Sequence, residues 1–226
     1  ICAAVECIHS YSLIHDDLPC MDDDSIRRGK PSTHIKFGEA SAVLAGNSLL
    51  TLAFEIIADQ NYLINPKLKN EIIKSLAFCS GHTGIAGGQE LDLKFENKKK
   101  KLKQIISMQR KKTGKLFNFC LYAVGVLAKK NTKEKKFLSL LGEEIGLLFQ
   151  FADDFLDIKG SKKLVGKPIK KDKKKGKSTL INLMGYKKAQ NYANNLKKKI
   201  LLKLKKHGKK ARDLSNIIEF ILGRNF

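Results

Sequence analysis

Two clusters of aspartates, each set among apolar residues, stand far apart in the sequence. The first is HDDLPCMDDD at residues 15–24, and the second is QFADDFLD at residues 150–157. Ionised carboxylates about 4 Å apart repel by roughly 1 kcal/mol in water, and by several times more in a partly dry cleft. Because acidic tails are polar throughout, the interleaved apolar residues argue against a solvated tail. The pair of clusters predicts one divalent-metal site assembled from two distant helices.

The spacing in the second cluster places two carboxylates on one surface. Asp153 and Asp157 are four residues apart, so on a helix they share a face, about one turn apart along the axis. Asp154 is displaced by one position and need not point the same way. Magnesium binds through a few carboxylates, retained waters and substrate phosphate oxygens, which suits aspartates facing each other across a cleft.

The first cluster needs a break in its helix to bring its carboxylates together. Asp16 and Asp22 are six residues apart, and a straight helix would not place them on one side. We expect Pro19 to end or bend the helix, so that Asp22 or Asp23 turns back toward Asp16. A calcium-binding EF-hand is excluded, because no 12-residue loop has the required Gly and Glu positions.

Basic residues near these clusters indicate a phosphorylated ligand. Arg27 and Arg28 directly follow the first cluster, and the planar fork of arginine suits phosphate. Lys112, Lys167 and Lys177 could add further positive charge. A diphosphate held between magnesium ions and basic side chains is the ligand that this pattern favours.

Composition indicates one globular domain, residues 1–226, with an unusually basic surface. Of the residues, 42% are hydrophobic and 29% charged, and the net charge is +22. Lysine-rich runs at 98–101, 170–177 and 197–210 carry much of this charge. Nucleic acid or anionic lipid could bind such a face, but with 8% aromatics, no Trp and no nucleic-acid motif we interpret it as solvated surface and expect no nucleic-acid partner.

Five cysteines and the hydropathy pattern indicate the compartment. Cys2, Cys7, Cys20, Cys79 and Cys120 form no CxxC pair and are odd in number, so we expect reduced thiols and a cytoplasmic protein. No uninterrupted apolar run approaches the ~20 residues of a membrane span, and we expect none. The chain opens without Met in what looks like mid-helix, so we expect that N-terminal helices are missing.

Helical periodicity predicts an all-α protein. Helices are expected over residues 1–17, 37–57, 66–79, 102–128, 133–159, 178–206 and 209–222, with a basic loop at 160–177. The 37–57 run is apolar nearly all round, which predicts deep burial. Glycines at 81, 84, 87 and 88 predict a kink or a close approach between helices.

Several motifs together resemble the trans-isoprenyl diphosphate synthase family, and within it the bacterial type that makes farnesyl diphosphate. They are DDLPCMD at 16–22 followed by RRGKP at 27–31, KTG at 112–114, QFADDFLD at 150–157 and GKST at 176–179. The order of these motifs matches, and the resemblance covers essentially the whole chain. It implies an antiparallel helical bundle around a deep central cavity, a homodimer, and the condensation of isopentenyl diphosphate with an allylic diphosphate.

The resemblance also implies roles for individual residues. Three Mg²⁺ ions (or Mn²⁺) would be held by Asp16, Asp22 and Asp153, with Asp17 and Asp157 as helpers. The allylic diphosphate or its path would be surrounded by Arg27, Lys112, Thr113, Gln150, Lys167 and Lys177. The diphosphate of isopentenyl diphosphate would contact His9 and Arg28. Product length would depend on Tyr11 and Ser12, about one turn before the first motif.

One family feature is missing, and alternatives stay open. Members carry a Gly-Gly-Lys-Arg type motif upstream that grips isopentenyl diphosphate, and nothing before Ile1 supplies it. The alternatives are a synthase for ten-, twenty-carbon or longer products, a terpene cyclase, a non-catalytic subunit or remnant, and a basic helical nucleic-acid binder.

Overall fold

The computed structural model describes residues 1–159 and 179–223, and these form an almost entirely helical protein, as predicted. The α-helices are α1 (Cys2–Asp16), α2 (Thr33–Phe37), α3 (Glu39–Ala58), α4 (Pro66–Ser80), α5 (Ile85–Phe95), α6 (Leu102–Gln109), α7 (Lys115–Leu127), α8 (Thr132–Lys159), α9 (Leu180–Met184), α10 (Tyr186–Lys205) and α11 (Arg212–Ile221). The predicted basic loop, with Lys167 and Lys177, lies outside the described residues.

Helices α2 and α5 were not predicted, and three further local features differ from the predicted pattern. A two-stranded antiparallel ribbon, β1 (Ile26–Arg27) and β2 (Lys30–Pro31), lies between the first two predicted helices, where no regular structure was predicted. The predicted 102–128 helix is continuous but contains a π-helical turn, Arg110–Gly114. The predicted 178–206 helix is broken between α9 and α10 at Gly185, whose φ of 78° is accessible mainly to glycine.

Two apolar clusters form the core. One joins α1, α3, α4 and α7 around Ile8, Leu76 and Phe119. The other joins α6 and α8 with the C-terminal helices α9–α11 around Leu148 and Ile200. Helix α7 contributes to the first cluster and helix α8 to the second. Each helix also has a face toward the space between α1, α5, α7 and α8.

Glycines permit unusually close packing around the π-helical turn. A Cβ atom at Gly88 of α5 would overlap the backbone of Lys112, and one at Gly146 of α8 would crowd Gly114. The predicted close approach at the glycine-rich segment is thus found, and its partner is the turn that carries Lys112 and Thr113. This packing fixes the turn from two sides.

The deep burial predicted for residues 37–57 is wrong for the described chain. Helix α3 packs one face against α1, burying Ala42, Gly46, Ala53 and Ile57, while Leu44 is 65% exposed on the opposite face. By length and composition alone α3 could cross a membrane, and 22% of its most apolar window is buried within the protein. Apolar residues occur on all sides of α3, but the other described helices cover only one side of it.

Candidate active site

A cavity of about 700 Å³ lies between α1, α5, α7 and α8. Side chains of both charges lie at its mouth, and its interior is largely apolar. The predicted site residues that line it are His9, Tyr11, Ser12, Asp16, Asp22, Arg27, Lys112, Thr113, Gln150, Asp153 and Asp157. The two acidic clusters therefore face one cavity, as the sequence predicted.

The first acidic wall is built by a chain reversal after α1. Helix α1 ends at Asp16, and the backbone N–H of Asp22 then donates to the carbonyl oxygen of Asp16 at 2.9 Å. This reversal brings Asp22 and Asp24 into the cavity wall, where both are buried. Asp23 has a φ of 47° and is exposed, so of the two candidates Asp22 turns inward.

The second acidic wall is the cavity face of α8. Asp153, Asp154 and Asp157 all line the cavity, so the displaced Asp154 belongs to this wall as well. The hydroxyl of Thr113 donates to Oε1 of Gln150 at 2.9 Å, and Nε2 of Gln150 donates to Oδ1 of Asp154 at 2.9 Å. This chain of hydrogen bonds ties α8 to the π-helical turn.

The arrangement of carboxylates suits a metal that is shared with a ligand. Within residues 1–159 and 179–223, no group of three or more His, Cys, Asp and Glu is placed to hold a metal ion by itself. The carboxylates instead stand on opposite walls of one cavity. Mg²⁺ keeps several waters and uses substrate phosphates together with one or two carboxylates, so this donor set fits a magnesium–diphosphate ligand.

Lys112 is the positive charge between the walls. Its Nζ lies 2.8 Å from Oδ2 of Asp92 and 3.4 Å from Oδ1 of Asp16. Burial by itself would lower the pKa of Lys112, but attraction by Asp16, Asp92 and Asp22 outweighs it and raises the pKa above its usual value. The ammonium group is therefore charged throughout the physiological range.

Arg27 and Asp17 form a partly buried ion pair at the edge of the cavity. Nε of Arg27 donates to both carboxylate oxygens of Asp17 at 3.1 Å, and a terminal nitrogen contacts Oδ1. Burial opposes the charge of Arg27, but its hydrogen bonds to Asp17 and the nearby aspartates raise its pKa. Asp17 does not line the cavity; it holds Arg27, which does.

His9 and Arg28, which were predicted to act together, lie side by side. A terminal nitrogen of Arg28 is 3.4 Å from Nε2 of His9. Arg28 is exposed with a φ of 51°, whereas His9 lines the cavity. Burial lowers the pKa of His9, and Arg28 and Arg27 lower it further against the opposing effect of Glu6. The imidazole is therefore neutral near pH 7.

Tyr11 and Ser12 stand deeper along α1 than the acidic wall. Tyr11 is buried, its ring meets the ring of His15 edge-on with centroids 5.7 Å apart, and its hydroxyl lies 3.5 Å from the carbonyl oxygen of Ser80. The hydroxyl of Ser12 donates to the carbonyl oxygen of His9 at 2.8 Å. Because the lining continues to Val5, the cavity extends beyond Tyr11.

The sequence motifs gave no role to several residues in or beside the cavity wall. Gln89 and Asp24 line the cavity, and Asp92 contacts Lys112, which lines it. The signal for the α5 residues was the neighbouring glycines, which predicted a close approach between helices. Lys167 and Lys177 lie outside the described residues.

Comparisons with known proteins agree along nearly the whole chain. The polyprenyl synthetase family profile matches residues 1–221. The farnesyl diphosphate synthase of Escherichia coli K12 is 42% identical over 229 residues, covering 99% of this chain and 76% of that protein. The geranylgeranyl diphosphate synthase of Cyanophora paradoxa is 38% identical over 223 residues, covering 98% and 74%.

Solved structures show the same fold. The geranyltransferase of Helicobacter pylori, crystallised with magnesium and isoprenyl diphosphate, superposes with a TM-score of 0.86 at 36% identity, over 97% of this chain and 72% of that one. A farnesyl/geranylfarnesyl diphosphate synthase of Zymomonas mobilis gives 0.85 at 40% identity, over 96% and 74%.

Proposed function

This chain belongs to the polyprenyl synthetase family of prenyltransferases, and we propose that it condenses isopentenyl diphosphate head-to-tail with dimethylallyl or geranyl diphosphate to give farnesyl diphosphate. The observation that carries the proposal is the pair of acidic walls, one after α1 and one on α8, facing each other across a single cavity with an apolar interior. Relatives named for fifteen- and twenty-carbon products both match well, so product length is part of the proposal.

In this reaction Asp16, Asp22, Asp153 and Asp157 would hold Mg²⁺, and Mn²⁺ has the same donor preference. We propose three ions, as in the family pattern. Bound magnesium would neutralise the charge that develops on the diphosphate as its C–O bond breaks. The donor set of opposed carboxylates supports this assignment.

The basic residues would bind and orient the two diphosphates. Lys112, kept charged by its carboxylate neighbours, and Arg27, held in place by Asp17, would bind the allylic diphosphate. The hydroxyl of Thr113 and the amide of Gln150 are ordered by their mutual hydrogen bond at the same wall. Lys167 and Lys177 are proposed to join this set.

The second substrate would lie toward His9 and Arg28. Their proximity forms a polar corner beside the cavity, with the positive charge of Arg28, and we place the diphosphate of isopentenyl diphosphate there. The C–O bond of the allylic diphosphate breaks, and its electron pair leaves with the diphosphate. The terminal alkene carbon of isopentenyl diphosphate then attacks the resulting allylic cation. A proton then leaves the neighbouring carbon, and the released diphosphate accepts it, so we assign no side chain as base.

We further propose that the chain acts as a cytoplasmic homodimer joined through α3. Val43, Leu44 and Leu52 present an apolar face that is 39–65% exposed in the described structure, and burial of such a face is favourable at about 25 cal/mol per Å². Leu44→Asp should yield monomers in analytical ultracentrifugation, whereas Leu63→Asp, a control at another exposed position, should leave dimers. Recovery of the wild-type chain with membranes would contradict the assignment.

The deciding experiment incubates the chain with isopentenyl and geranyl diphosphates and separates the products by chromatography. Farnesyl diphosphate should form with Mg²⁺ and disappear with a chelator. Asp16→Asn and Asp153→Asn should each lower kcat by about 10³-fold, while Asp213→Asn, an exposed residue on α11, should match wild type. A folded chain that makes no prenyl product under these conditions would be a non-catalytic relative.

A further inference from the structure

We propose that Gln89 is a further catalytic residue, whose side-chain carbonyl oxygen stabilises the allylic cation at the carbon that loses diphosphate. The inference deepens the proposed function and rests on it. Gln89 had no role in the sequence motifs, and the metal and diphosphate sites do not use it.

Its place on α5 sets it between the polar and apolar layers of the cavity. Ile85, Gln89 and Leu93 line the cavity at four-residue intervals, so they form one stripe along the helix. Asp92, three residues after Gln89, binds the Nζ of Lys112 at the charged mouth. Ile85, one turn before Gln89, belongs to the apolar core. Gln89 is therefore one turn below the charged groups, at the level where the bond between diphosphate and hydrocarbon would lie.

The backbone holds Gln89 close to the π-helical turn. The preceding residue, Gly88, packs so closely on Lys112 that a side chain there would overlap the Lys112 backbone. Gln89 is thus fixed relative to Lys112 and Thr113, which we assign to the allylic diphosphate. A residue placed so rigidly can present its dipole without reorganisation during the reaction.

The amide of Gln89 is buried without protein partners. Neither Oε1 nor Nε2 has a hydrogen-bond partner among the described residues, although both atoms are inaccessible to solvent. Gln150, the other glutamine of the cavity, has both amide atoms bonded, to Thr113 and Asp154. Buried polar groups are normally paired, so an unpaired amide that lines a substrate cavity is expected to interact with what fills it.

The chemistry of the step favours the carbonyl oxygen as the working atom. When the C–O bond breaks, its electron pair leaves with the diphosphate and positive charge spreads over the allylic carbons. An amide oxygen carries partial negative charge and is too weak a nucleophile to trap the cation irreversibly as an ionised carboxylate could. The bond that forms is the carbon–carbon bond to isopentenyl diphosphate, and Gln89 is unchanged at the end.

Gln89→Leu tests the proposal, because leucine keeps most of the volume and removes the dipole. We expect kcat for the condensation to fall 10- to 100-fold while KM for geranyl diphosphate stays within twofold. Gln109→Leu is the matched control: Gln109 is also buried with an unpartnered Oε1, but it lies outside the cavity lining. It should retain the wild-type kcat. Gln89→Met provides a second variant if the leucine variant does not fold.

Two unreactive ligands separate catalysis from general structural damage. A diphosphate analogue with an ammonium nitrogen at the cationic carbon mimics the charged intermediate, and a geranyl thiolodiphosphate mimics the substrate. The Gln89 variants should bind the ammonium analogue about 10-fold or more weakly and the thiolodiphosphate equally well, by calorimetry with Mg²⁺. Equal loss for both ligands, or unchanged affinity for both, overturns the proposal. These affinities decide the role of Gln89 even if the wild-type chain forms no product, a result that would refute the proposed function separately.

Discussion

Replacing Tyr11 by alanine should lengthen the prenyl product. Tyr11 lies five residues before Asp16 on α1, which places its Cα about 7.5 Å below the acidic wall along the helix axis. The cavity lining continues to Val5, about 16 Å from the level of Asp16 by the same helical rise. The ring of Tyr11 therefore stands partway down the cavity, and its removal gives a growing chain access to the space below.

The cost of this change to stability follows from the burial of the ring. Removal of a large buried aromatic side chain costs about 3–5 kcal/mol, and because part of the Tyr11 ring faces the cavity we expect about 3 kcal/mol. The hydroxyl contributes little, since its 3.5 Å distance to the carbonyl oxygen of Ser80 is at the long limit of a hydrogen bond. Tyr11→Phe should therefore cost less than about 1 kcal/mol.

The assay supplies geranyl diphosphate, and in a second series farnesyl diphosphate, with excess isopentenyl diphosphate and separates the dephosphorylated alcohols by chromatography. Tyr11→Ala should move the main product from fifteen to twenty or more carbons, and Tyr11→Phe should keep the wild-type pattern. Urea unfolding at the assay temperature verifies that each variant is folded. A folded alanine variant that stops at fifteen carbons, or a phenylalanine variant that elongates equally, would refute a length-setting role for the ring.

Three further predictions concern residues in the cavity wall or packed beside it. Asp92→Asn should lower the free energy of unfolding by about 1–3 kcal/mol, equally from pH 6 to 9, because the raised pKa of Lys112 keeps its ammonium charged across that range; a strongly pH-dependent loss would contradict this. The ring protons of His9 should titrate in NMR with a pKa below about 6.5, and because this pKa is lowered by folding, stability should be lost as pH falls through it. A His9 that titrates above 6.5 would show that its burial is not the dominant effect. Gly88→Ala should lower stability and kcat together, since its Cβ would overlap the Lys112 backbone, whereas Gly223→Ala meets only ordinary contacts and should match wild type in urea unfolding and in turnover.

Most of the helices were predictable because local signals specify them, although α2 and α5 were not predicted. Proline at position 66 and helical spacing of apolar residues marked α4, and the long 133–159 run marked α8. The π-helical turn at Arg110–Gly114 could not be anticipated in this way, because it depends on glycines of α5 and α8 that approach it from other parts of the chain. Such a turn is a property of tertiary packing, and π-bulges commonly occur at functional sites.

The failed burial prediction for α3 has a similar cause. A helix that is apolar all round is buried by something, but its sequence does not state by what. Ala42 and Ala53 lie on the buried face of α3, whereas Leu44 remains 65% exposed in the described structure. The sequence shows which residues of a helix are apolar, but only the three-dimensional structure shows how many of them are covered by the same chain.

The residues of the candidate site fall into the same two groups. Some belong to local sequence motifs, and others are recognisable only from long-range contacts. The aspartates could be predicted as metal-binding candidates, because several carboxylates within a few residues repel one another unless a cation is present. Asp92 and Gln89 are single polar residues outside the two acidic clusters. Their significance becomes clear only when α5 packs on the π-helical turn. Asp92 then neutralises the lysine between the acidic walls, and the amide of Gln89 is buried in the cavity wall with no hydrogen-bond partner among residues 1–159 and 179–223. Sequence motifs therefore identified the residues that we propose to bind metal and diphosphate and, with Tyr11 and Ser12, to set product length, whereas Gln89 became identifiable only through packing, because its side chain carries no charge to mark it.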